Sequence, residues 1–219
     1  MTLGAKLETS CSQRRGAKIA IRAGDTYFSA DVETDGPIPG PYSMLSFALV
    51  FAGSFDGERF SRPEHYDDGF YAQLAPISGE FEAEALAING LDRDALIKNG
   101  TDPAQAMADA HRWIEARSGR ASPVLVAYPL SFDWSWLYWY FVRFTGSSPF
   151  KHSRCFDIKT AAAVKLGLPI SDAGRKRLPA ELQPRRQHTH HAVDDAIAQA
   201  EIFANLFELE GVTSREYSA

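Results

Sequence analysis

The chain has 219 residues, 45% hydrophobic and 23% charged, the composition of a soluble globular domain rather than of a disordered or fibrous chain. A formal net charge of −5 excludes a protein that coats nucleic acid non-specifically, because such binding comes from many lysines and arginines displacing counterions, so any phosphate contact is local. Cys11 and Cys155 are the only cysteines, which argues against a disulfide framework and for a reducing, cytoplasmic setting.

Residues 1–24 are mixed and polar, with a weak alternation at Lys18-Ile19-Ala20-Ile21-Arg22, and are expected to form a tail or an added edge strand. The first fifteen residues lack the apolar run of a secretory signal, and no segment reaches the roughly 18 apolar residues of a membrane span, so no targeting or membrane partner is expected. One domain is expected over 25–210, with a short tail at 211–219.

Strand patterns at 26–32 and 44–52, separated by the turn-rich Gly36-Pro37-Ile38-Pro39-Gly40-Pro41, predict two antiparallel strands, and a third strand at 70–77 completes a meander. The period then changes. Helical spacing at 82–88 and 103–116 predicts two helices, the second opened by Asp102 as N-cap with Pro103 behind it and ended by Gly119. A strand at 124–127, an aromatic helix at 133–144, a short strand at 155–158 and a final helix at 192–209 follow. Strands first and then alternation with helices predicts an α/β fold on a sheet of mixed direction.

Acidic residues fall where such a fold gathers distant groups. In Ala30-Asp31-Val32-Glu33-Thr34 the two carboxylates lie two apart on a strand and so point to one face, while Val32 points to the other. Asp133 follows the 124–127 strand through a short connection and stands at the start of the aromatic helix, as a cap or as a further site carboxylate. In His190-His191-Ala192-Val193-Asp194-Asp195 a histidine precedes a helical aspartate, and only Asp195, not Asp194, has a histidine at that offset, leaving His188 and His191 as solvated bystanders.

These three segments resemble the exonuclease motifs of the DEDD family in its histidine-bearing DEDDh, or DnaQ-like, branch. The resemblance covers residues 26–209 in the family's order and spacing. It implies a ribonuclease H-like mixed sheet, an antiparallel meander followed by parallel strands, flanked by helices. It also implies that Asp31, Glu33, Asp133 and Asp195 bind two divalent cations, Mg2+ or Mn2+, with His190 as general base. The implied reaction is 3′–5′ hydrolysis of single-stranded DNA or RNA, releasing nucleoside 5′-monophosphates. Hard carboxylate oxygens suit hard cations, and the lack of a cysteine cluster argues against structural zinc.

Two departures from the family pattern bear on substrate: Tyr128 and Pro129 stand where a histidine and an asparagine are common, and Asn89 replaces a frequent histidine. Thr34 and Asn89 are the expected substrate contacts, Asp157 an expected helix cap and Asp35 an expected turn residue. The cluster Arg175, Lys176, Arg177, Arg185 and Arg186 is a candidate phosphate contact, and the aromatic run from Trp134 to Phe141 is expected to pack in the core and against a partner subunit. A DNA polymerase or a second copy of the chain is the partner the resemblance suggests. A non-catalytic binding module and a small-molecule phosphohydrolase are the alternatives.

Overall fold

Alternate residues of one strand feed two separate cores. In a computed structural model, which describes residues 24–187 and 189–209, strand β1 (Asp25–Thr34) sends Phe28, Ala30 and Val32 to one side and Tyr27 to the other. Asp31 and Glu33 share the parity of Tyr27 and therefore its face. The tail or edge strand expected over 1–24 lies outside the described residues except for Gly24, and so does the expected tail at 211–219.

β2 (Met44–Phe55) runs antiparallel to β1, with Asp31 opposite Ala48 and Glu33 opposite Ser46. On its far edge β2 pairs with both β3 (Phe60–Ser61) and β4 (Gly69–Gln73), antiparallel in each case. A register shift between Tyr27 and Phe28 coincides with Gly53, whose φ of 136° and closeness to the Phe60 ring and the Ser61 carbonyl leave no room for a side chain. On the other edge β1 pairs in parallel with β5 (Ser122–Ala127), which pairs in parallel with β6 (Cys155–Asp157). The sheet thus reads β3-β2-β1-β5-β6 with β4 beside β2, a mixed sheet of six strands.

One face is covered by α3 (Pro103–Ser118) and α4 (Leu130–Thr145), whose Met107, Ala110, Ile114, Trp136, Leu137 and Phe141 pack on Phe28, Phe47 and Leu125. The opposite face is covered by α5 (Ile158–Leu166) and α6 (Ala192–Glu208), whose Ala162, Leu166, Ala196, Ala200 and Phe203 pack on Tyr27, Val50 and Val126. Two seven-residue helices, α1 (Ala83–Asn89) and α2 (Arg93–Asn99), complete the six α-helices among the described residues. None of these is long and apolar enough to cross a membrane.

The expected caps form: Asp102 accepts from the Gln105 N–H at 3.1 Å, and Asp157 from the Lys159 N–H at 2.9 Å. The structure differs from the sequence reading in several places, among them the strand expected at 155–158, which ends at Asp157 where α5 begins. α2 and β3 are additional, the strand expected at 70–77 ends at Gln73, and α4 begins at Leu130, three residues before Asp133, with Pro129 at the N-cap. The aromatic run is mainly core, as expected: Trp136, Tyr140 and Phe141 are buried, and the Tyr140 hydroxyl accepts from the Met44 N–H at 2.7 Å.

Candidate active site

β1 outruns its parallel partner. Pairing with β5 stops at Ser29 opposite Val126, whereas pairing with β2 continues to Thr34, so the acidic end of β1 carries N–H groups beyond the β5 ladder. The chain leaving β5 turns at once into α4, and Asp133 in its first turn takes up one of them: its Oδ1 accepts from the Val32 N–H at 3.2 Å. Asp133 is therefore not the helix cap. Its carboxylate is buried and anchored on the strand, between the positions of Asp31 and Glu33.

α6 brings the remaining acid from the other side. Asp195 folds back over the helix start, Oδ1 accepting from the Thr189 N–H at 3.2 Å and Oδ2 from the His190 N–H at 3.1 Å. These bonds hold the segment before the helix in a tight bend in which His190 adopts a left-handed φ of 58°, a region that non-glycine residues visit sparingly and histidine more than most. His190 is exposed. Asp194 instead accepts from the Thr189 hydroxyl and from Arg186.

Carboxylate oxygens of Asp31, Glu33 and Asp195 all lie within 4.8 Å of one another. Such crowding inside the protein must raise proton affinity, because burial penalises each charge and the neighbours repel it. Burial, followed by repulsion from Asp133, Glu33 and Asp195, holds Asp31 well above the usual carboxylate range. Burial and then Asp195 and Asp133 push Glu33 to about 8. Burial pushes Asp133 to about 7, against the pull of its backbone hydrogen bonds and of Arg175. Arg175, from the loop between α5 and α6, supplies some compensating charge; it sits over the Tyr128 ring at 5.9 Å and donates to the Tyr128 carbonyl at 3.4 Å. This donor set, hard oxygens short of positive charge, fits divalent cations of the magnesium type.

The other candidates fall around this cluster. The Thr34 hydroxyl donates to the Gly36 carbonyl at 2.9 Å, and Asn89 donates from Nδ2 to the Thr34 carbonyl at 3.0 Å while its Oδ1 accepts from the Leu91 N–H. The two residues are thus joined, fastening the end of β1 to the end of α1. Asp35 is no simple turn residue: fully buried, it accepts from the Ser43 N–H and pairs with Arg93 Nε at 2.9 Å. Tyr128 is also buried, its hydroxyl donating to the Ala173 carbonyl at 2.6 Å, so its ring faces the core under α6.

Of the basic cluster, Arg177 pairs with Asp172 and Arg186 with Asp194, while Arg175 bears on Asp31 and Asp133. His191 is exposed and lies against Tyr71 with ring centroids 5.3 Å apart; His188 lies outside the described residues. Sequence reasoning missed one residue of the site, Gln199, which donates to Asp31 Oδ1 at 2.8 Å. Its signal was spacing: it follows Asp195 by one helical turn, on the same face of α6.

A mixed sheet of this order, with acids converging from β1, α4 and α6, is the fold found in nucleases of the DEDDh class. The nuclease domain of 3′hExo, a DEDDh family member solved bound to rAMP, superposes with a TM-score of 0.63 at 12% identity, over 86% of this chain and 94% of that one. Escherichia coli exonuclease I in complex with a dT13 oligonucleotide gives a TM-score of 0.56 at 17% identity; 83% of this chain is covered, and it spans 40% of that one. In sequence, the chain is 32% identical over 185 residues to the 3′–5′ DNA exonuclease Cap18 of Escherichia coli, covering 82% of this chain and 90% of that protein. Residues 89–207 match the family described as the 3′–5′ exoribonuclease Rv2179c-like domain, and the chain belongs to this family of 3′–5′ exonucleases.

Proposed function

We propose that the chain removes nucleotides one at a time from single-stranded 3′ ends, with Asp31, Glu33, Asp133 and Asp195 holding two divalent cations, Mg2+ or Mn2+, and His190 as general base. The observation that carries this reading is the convergence of three carboxylates from β1 and α6 within 4.8 Å. Bound cations supply the positive charge that activates the attacking water and stabilises the leaving 3′ oxygen. The chain's own contribution is placement. Val32 fixes Asp133 and the bend at 189–190 fixes Asp195, and in this reading the His190 imidazole takes the proton of the attacking water near neutral pH.

Thr34 and Asn89 form the wall beside the acidic end of β1, and we assign the terminal nucleotide to that wall. Likeness to Cap18 over nine-tenths of that protein's length supports DNA as substrate, whereas the family description supports RNA.

A panel of single-stranded DNA, duplex DNA, RNA and dinucleotides, incubated with Mn2+ and resolved by product length, tests the reading. Stepwise shortening from the 3′ end, abolished by chelator and by Asp31→Ala, is expected. Full activity in Asp31→Ala would overturn the ligand assignment, and turnover of dinucleotides alone would make the chain a small-molecule phosphohydrolase.

A further inference from the structure

Gln199 carries no charge and sits in an apolar helix, yet it is fully buried and both ends of its amide are committed across element boundaries. Oε1 accepts from the Tyr128 N–H at 2.5 Å, and Nε2 donates to Asp31 Oδ1 at 2.8 Å. The first bond fixes the second: a backbone N–H requires the carbonyl end, so the NH2 end must face the carboxylate. One side chain of α6 thereby ties the central strand to the connection between β5 and α4, the same connection that delivers Asp133. It does so one turn below Asp195.

We propose that Gln199 is a positioning residue that aims Asp31 at the cation site, holding Oδ1 so that the other carboxylate oxygen faces Glu33 and Asp195. The proposal rests on the reading of the acidic cluster as a cation site. The chemistry favours an amide at this position. Lysine or arginine here would pair with Asp31 and compete with the cation, and an apolar side chain would leave the carboxylate free to rotate. An amide N–H orients the carboxylate and leaves its charge available. Partners of this kind behind a ligand typically change metal affinity or activity by about 10–100-fold.

The test is Mn2+ affinity of the full chain, measured by calorimetry, for the parent, Gln199→Met and Tyr140→Phe. The last removes a buried hydrogen bond on the opposite face of the sheet and controls for general destabilisation. We expect Gln199→Met to bind Mn2+ about 10-fold more weakly or worse, to need correspondingly more Mn2+ for half-maximal cleavage, and to keep its KM for oligonucleotide at saturating Mn2+, while Tyr140→Phe keeps the parent affinity. Affinity of Gln199→Met within twofold of the parent would overturn the proposal.

Should that variant not fold, the unmutated chain answers by NMR: the Gln199 side-chain amide resonance should shift on titration with Mg2+. An unmoved resonance while the His190 backbone amide shifts would also overturn it. A parent chain that binds no cation at all would instead defeat the reading of the cluster on which the proposal stands.

Discussion

Asp133 accepts a hydrogen bond from the backbone N–H of Val32, a residue 101 positions earlier, at 3.2 Å. A carboxylate that completes a strand's hydrogen bonding while facing other acids serves stability and chemistry in opposite senses, and substitution should separate the two. Asp133→Asn retains an acceptor for Val32 and sheds a buried, repelled charge, so in chelator at pH 8 it should melt at or above the parent temperature. Its oligonucleotide hydrolysis should fall by more than about 100-fold, beyond the loss typical of residues behind the ligands. Asp133→Ala leaves Val32 unpaired and should lose about 1–3 kcal/mol in urea titration. Near-parental activity in Asp133→Asn would remove Asp133 from the site.

Stability of the cation-free protein should fall as pH rises. Glu33 at about 8 and Asp133 at about 7 lie above the ordinary carboxylate value near 4, so between these limits the native state binds more protons than the unfolded chain. By linkage the contribution is fully present below about pH 4, declines above it and is gone above about pH 8. Melting temperatures from pH 5 to pH 9 in chelator should show the decline, and Mn2+ should reduce it by replacing protons as the source of positive charge. A melting temperature that climbs with pH in chelator would contradict the crowding.

The Asp35–Arg93 pair is nearly inaccessible, with side-chain exposures of 0% and 11%, and closes the β1–β2 connection against α2. Removing one partner strands a buried charge. Arg93→Ala should lose about 3–5 kcal/mol, read from urea unfolding. Asp102→Ala, which removes only the cap of α3, should lose about 1 kcal/mol. Equal effects of the two changes would show that the pair is solvated in solution.

His190→Asn retains a residue type that tolerates the left-handed backbone and keeps the N–H that Asp195 accepts. Cation affinity should therefore stay at the parental value while kcat falls by about 100-fold to 10,000-fold. Loss of cation affinity in parallel with kcat would mean that the residue acts by shaping Asp195 rather than by moving a proton.

The acids were legible in the sequence because their positions follow from periodicity: strand parity puts Asp31 and Glu33 on one face, and the histidine offset selects Asp195 over Asp194. Two short elements were not. The seven residues of α2 and the two of β3 bury one leucine and one half-exposed phenylalanine between them, too little to write a pattern. The start of α4 was hidden because Pro129 caps it without a side-chain hydrogen bond, leaving Asp133 as the first residue that resembled a start signal. Gln199 was hidden because a neutral amide in an apolar helix announces no chemistry until its two partners, 71 and 168 positions away, are known.

Glu201, six residues after Asp195 on α6, accepts from the backbone N–H groups of both Arg185 and Arg186. Whatever runs from residue 167 to 184 is thus moored before it reaches the histidine, and only three residues separate that mooring from His190. Loop exchange confined to residues 176–184, which spares the Arg175 that faces the acids, should therefore leave turnover chemistry untouched and is the natural way to retune selectivity.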